Sequence, residues 1–155
     1  MKSLDARLAE LGLTLPPAPK PVASYVPAAM VPAGKPVYVS GQVPLRDGKM
    51  IASGQVGRDV PIELAQECAR QCALNGLAAL RAEVGDLARI RRVVRVGGFV
   101  ACAPDFTDHP KVINGASDLL VQLLGDAGKH ARAAVGVPSL PLGAPVEIEF
   151  LFAID

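Results

Sequence analysis

The sequence predicts an α+β domain in which two helices pack on one face of a mixed β-sheet. Three observations lead there: two long stretches with apolar residues at helical spacing, short β-branched segments on either side of them, and the order strands, helix, strand, helix, two strands. At 155 residues, half of them apolar, the chain is long enough for one substantial core.

Residues 3–12 read as a short amphipathic helix with Leu4, Leu8 and Leu11 on one stripe, stopped by Gly12. The run PPAPKP then forms a stiff extended linker. The expected organisation is a helical extension over 1–15, a proline-rich linker over 16–24 and one domain over 25–155. Eight of the fourteen prolines fall between Pro16 and Pro44, which disfavours helix there and leaves short strands at 24–30 and 36–41. A third strand is expected near 49–53, after the Asp47-Gly48 turn. In DVPIELAQECARQCALNGLAALRAEVG, residues Ile62, Ala65, Cys68 or Ala69, Cys72, Leu77 and Leu80 share a helical face; Asp59 and Pro61 mark its start and Gly85 its stop. IRRVVRVGGFVAC is β-branched enough for a central strand over about 89–101. A second helix over 109–124 presents Val112, Ile113, Ala116, Leu119, Leu120, Leu123 and Leu124, and strands at 131–137 and 145–153 finish the chain.

Strand parity then separates the faces. Val146, Ile148, Phe150 and Phe152 share one side of the last strand, with Glu147, Glu149, Leu151 and Ala153 on the other. In 131–137, Ala133, Val135 and Val137 read as the dry side, leaving Arg132, Ala134 and Gly136 on the face that the helices do not cover. A face of small residues and a few charges suggests burial by other subunits, with a polar cleft at the seam.

Composition excludes several classes. Sixteen basic against fifteen acidic side chains give a net charge of +1, with no Trp and no basic stripe interleaved with stacking rings, so nucleic acid is not an expected partner. The first fifteen residues are amphipathic and mixed in charge, with no apolar run long enough for a signal peptide or a membrane span; a cytoplasmic protein is expected. Cys68 and Cys72 lie one helical turn apart and Cys102 ends a strand. With only His109 and His130 beside them, no zinc spacing results, and the thiols read as small core residues.

If 131–137 and 145–153 form a hairpin through PSLPLGA, Arg132 lies across from Glu147 or Glu149. The pair is then either an exposed cross-strand ion pair or a guanidinium fork gripping a carboxylate beside a group that moves protons. His130 shares the face of Arg132 and reads as a hydrogen-bonded surface residue. Asn114 and Gly115 interrupt a helix of good formers, which calls for a close backbone approach or for Asn114 facing a site. The glycines of SGQVPLRDGK and GQVG have neither phosphate-loop nor dinucleotide spacing and read as turns.

Taken together, YVSGQVPL, GDLARIRRVVRVGGFV, DF at 105–106, VINGASDLL, HARAAVGV and LPLGAPVEIE resemble the YjgF family, also called the Rid or reactive-intermediate deaminase family, over about residues 25–153. The resemblance implies a chorismate-mutase-like fold, a barrel-like homotrimer with clefts between subunits, and hydrolysis of reactive imines and enamines to 2-keto acids and ammonia without cofactor or metal. It puts the substrate-gripping arginine on Arg132, the water-activating glutamate on Glu147, the helix asparagine on Asn114 and the first-strand tyrosine on Tyr25, if the preceding loop is two residues longer here. The family's cysteine two residues after the arginine is Ala134 here, where a backbone role survives, and its common proline two residues before is His130. A non-catalytic binder of small carboxylates, and a ribonuclease or translation inhibitor, are the alternative functions.

Overall fold

The computed structural model describes residues 2–18, strand residues 28–30 and residues 36–155; the first expected strand is described only over 28–30. Helix α1 (Leu4–Glu10) begins at Ser3, whose hydroxyl accepts the Ala6 N–H, and it buries Leu4 and Leu8 in the same core as the rest of the chain. Strands β1 (Ala28–Met30), β2 (Pro36–Gln42), β5 (Ile90–Ala101), β6 (Ala131–Val137) and β7 (Val146–Ile154) form one sheet in the order β1-β2-β7-β5-β6. β3 (Leu45–Arg46) and β4 (Lys49–Met50) make a separate hairpin. Among the described strands only β5 and β6 pair in parallel, and helix α3 (His109–Leu124) provides the crossover that a parallel pair requires.

Helix α2 (Ile62–Val84) and α3 lie on one face, over Val146, Ile148, Phe150 and Phe152 of β7 and Val37 and Val39 of β2. This is the α+β architecture that the sequence predicts. α2 is more enclosed than a one-sided amphipathic helix: every residue from Gln71 to Leu80 is buried. Gly76 permits this, since a Cβ there would sit 2.6 Å from Cε2 of Phe150. Two of the buried residues are polar, and a buried amide left without a partner costs about 1–3 kcal/mol. Asn75 therefore donates to the carbonyls of Val43 and Leu45, and Gln71 donates to Asn75 Oδ1 while accepting from Arg46 Nε. The network ties the β3–β4 hairpin to the helix. Pro61 occupies the N-cap of α2, while Asp59 accepts the Gln55 N–H and pairs with Arg58 instead.

Two expectations about β6 are corrected. β6 and β7 are not a hairpin, because β5 lies between them, parallel to one and antiparallel to the other. The physical reason lies in β5: residues 96–98 and 100–101 are buried, and such a segment takes an interior place with partners on both edges. The parity of β6 is also the reverse of the expected one. Gly97 and Phe99 of β5 register with Ala133 and Val135 of β6 and with Glu149 and Glu147 of β7, so Ala133 and Val135 share the open face, where Val135 is 44% exposed. Arg132, Ala134 and Gly136 turn toward α3. Both parities of ARAAVGV are weakly apolar, so hydrophobicity could not choose between them; close packing did, because Gly136 abuts side chains at the start of α3.

Candidate functional site

Arg132 stands on the edge strand, exposed but not unpartnered. Its Nη1 donates to Asn114 Oδ1 at 2.9 Å and to Ser117 Oγ at 3.0 Å, two residues one turn apart on α3. Ser117 Oγ also lies 3.0 Å from His130 Nε2, and His130 Nδ1 lies 2.6 Å from the Gly128 carbonyl. A carbonyl only accepts, so Nδ1 carries the proton and Nε2 is the acceptor; Ser117 therefore donates to His130 while accepting from Arg132. Burial lowers the pKa of His130, with the Arg132 charge adding to it and the Gly128 contact opposing. The imidazole is thus held neutral, and the guanidinium is oriented entirely by neutral groups. Nε and Nη2 of Arg132 make no hydrogen bond within the described residues, which leaves one edge of the fork for a carboxylate.

Glu147 belongs to a different surface. It lies on the open face of β7 in register with Phe99, over Gly41 of β2, where any Cβ would collide with its carboxylate. Glu149, its neighbour on that face, is paired with Arg95 at 2.9 Å; Glu147 has no hydrogen-bond partner within the described residues. Burial raises its pKa, and the Glu149 charge raises it further. The cross-strand ion pair expected for Arg132 therefore exists, but between Arg95 and Glu149.

Within one chain Arg132 and Glu147 do not meet. Two strand spacings and three residues of register separate them, about 14 Å, on opposite faces of the sheet. The structure thus brings Arg132, Asn114 and His130 together through Ser117, with Ala134 next along the same side of β6, and leaves Glu147 on the other face. Tyr25 lies outside the described residues. The sequence reading missed Ser117 and Gly41. Ser117 was findable, being three residues after Asn114 on one helical face; Gly41 was not, because only the sheet pairing lays it under Glu147.

The chain thus carries an exposed guanidinium aimed by α3, a half-buried carboxylate with no hydrogen-bond partner among the described residues, and a sheet with one uncovered face, all on a chorismate-mutase-like α+β fold. The profile of the family described as "YjgF/chorismate_mutase-like, putative endoribonuclease" matches residues 5–154, and the chain belongs to the YjgF family. It is 42% identical over 151 residues to Protein TCP17 of Trypanosoma cruzi, covering 97% of this chain and 93% of that one. It is 30% identical over 145 residues to 2-iminobutanoate/2-iminopropanoate deaminase of Dermatophagoides farinae, covering 92% and 95%. Among solved structures it resembles Atu1372 of Agrobacterium tumefaciens, a protein of unknown function, with a TM-score of 0.90 and 49% identity over 99% of this chain and 94% of that one. No described helix is long and apolar enough to cross a membrane.

Proposed function

We propose that the protein hydrolyses small 2-imino acids, and enamines that tautomerise to them, to 2-keto acids and ammonia, in clefts between the subunits of a homotrimer. One observation carries the reading: a guanidinium with a free bidentate edge and an unpaired carboxylate of raised pKa lie on opposite faces of one chain. A second copy laid on the open face, where Tyr38 is 56% exposed and Val135 44%, would bring the Arg132 edge of one subunit toward Glu147 of another. The relationship to a 2-iminobutanoate/2-iminopropanoate deaminase supports the choice of reaction.

In this reading Arg132 holds the substrate carboxylate with two parallel hydrogen bonds, and Asn114 and Ser117 keep the fork aimed. Glu147 takes a proton from water as its oxygen adds to the carbon of the protonated imine, returns that proton to the nitrogen, and takes the hydroxyl proton as the C–N bond breaks and the carbonyl forms. A raised carboxyl pKa suits both halves of that exchange. His130 and the Ala134 backbone complete the binding surface, and α1, packed on the core, is a structural element of a cytoplasmic protein.

The test is ammonia release from imines generated in situ by an amino-acid oxidase. Wild-type protein accelerates it, Glu147→Gln lowers the rate by roughly 10²–10⁴-fold, and Arg132→Ala abolishes it. A folded wild-type protein that leaves every 2-imino acid at its uncatalysed rate overturns the reading. If such a protein is still stabilised by 2-keto acids through Arg132, it is a binder of small carboxylates.

A further inference from the structure

The carboxyl ends of the parallel pair β5 and β6 meet the start of α3 around a cavity of about 470 Å³, large enough for a small organic ligand. Gln55, Pro104, Phe106, Val137 and Pro138 line it, and among the described residues no Lys, Arg, Asp or Glu side chain does. Two other lining groups can do chemistry. Sγ of Cys102, just past the end of β5, lies 3.4 Å from Nε2 of His109, the first residue of α3. The pair is a built arrangement. Cys102 is held by its N–H donation to the Val137 carbonyl, and the His109 ring stands edge-on to Phe106 with centroids 5.5 Å apart. Gly136 leaves the room, because a Cβ there would lie 2.9 Å from Sγ and overlap Nε2. Nothing in the proposed imine chemistry uses these residues.

A thiol touching an imidazole nitrogen at the N-terminal end of a sixteen-residue helix is arranged for nucleophilic attack: the ring can take the proton, and the helix end favours the thiolate. Burial pushes the Cys102 thiol up, with the Asp105 charge adding to it and the Val137 backbone contact opposing. The thiol therefore rests protonated and needs the base at the moment of attack. The uncharged lining selects a neutral electrophile over a charged one.

We propose that Cys102 and His109 form a second reactive site that captures small, uncharged α,β-unsaturated carbonyl compounds as thioethers. His109 Nε2 takes the S–H proton as sulfur bonds to the β-carbon, and the displaced π electrons form an enolate. The α-carbon then takes the proton back from the imidazolium. The net change is addition of S–H across the C=C bond, with no oxidant or reductant.

The experiment treats the native full-length protein with methyl vinyl ketone and follows each cysteine by peptide mass spectrometry. Cys68 and Cys72, buried inside α2, serve as internal references. Cys102 is expected to gain one adduct while the references remain free. His109→Phe, which keeps a ring against Phe106, is expected to slow it by roughly a hundredfold, and Gly136→Ala to slow it by filling the space beside sulfur. In urea all variants should react alike at Cys102, which separates a lost site from an altered thiol. An unmodified Cys102 in folded wild-type protein overturns the proposal, and so does an unchanged rate in folded His109→Phe.

Discussion

Gly115→Ala tests the link between helix packing and the arginine site. In an isolated helix the change stabilises by about 1 kcal/mol, and Gly115 lies in the interior of α3. Here the new Cβ would lie 2.8 Å from the carbonyl carbon of Gln66 and 3.0 Å from its Cα, and would overlap the carbonyl oxygen. Carbon contacts are optimal at about 3.5–4.0 Å, so α3 must retreat from α2 by roughly 0.5–1 Å. Backbone atoms of a packed helix cannot rotate aside, which places the overpacking cost at the upper end of its usual range, about 3 kcal/mol. Subtracting the propensity gain leaves a net loss of about 2 kcal/mol, or roughly 4–8 °C in Tm for a chain of this size. The same retreat would lengthen the 2.9 and 3.0 Å bonds from Arg132 to Asn114 and Ser117, so carboxylate affinity should fall with stability. Thermal unfolding and calorimetric titration with a 2-keto acid read the two effects. A variant as stable as wild type, or more so, would refute the packing argument. A destabilised variant with wild-type affinity would refute the coupling to Arg132.

Arg132→Lys keeps the charge but loses the fork, and loss of one charged hydrogen bond costs about 1.5–3 kcal/mol; calorimetry should show 2-keto acid affinity reduced by roughly 10–100-fold, and an unchanged Kd would contradict bidentate binding. Glu147→Gln should cost turnover yet raise Tm at neutral pH. The sign follows from the raised native pKa: between the ordinary and raised values the folded state binds more protons, so stability falls as pH rises through that window and the penalty is complete above it. The variant's advantage over wild type should therefore shrink toward about pH 4, and a pH-independent difference would point to packing instead. Val135→Asp puts a charge on the open sheet face and should convert a trimer to monomers by light scattering; an unchanged mass would exclude that part of the face from the seam.

Much of the fold was legible because its signals are local. Apolar residues recur at helical spacing through α2 and α3, Gly85 and Gly125 end those helices with positive φ, and alternation through VEIEFLF assigns β7 two faces. Arg132 and Asn114 were legible as exceptions, a cation opening an apolar strand and a polar residue beside a glycine inside a helix. Their partnership was not, since Ser117 and the neutral His130 tautomer emerge only when α3 crosses behind β6.

What the sequence determines by itself is which residues can be buried, where the two long helices start and stop, and which side chains carry chemistry. What the tertiary structure decided is adjacency. The buried second half of β5 gains most from pairing on both edges, and by lying between β7 and β6 the strand separated Arg132 from Glu147 and gave Arg95 to Glu149. The same pairing brought Cys102 to His109 at the end of the parallel strands. Periodicity can assign a residue to a face, but long-range pairing is a competition among all the strands for two edges each, and no single segment contains its outcome.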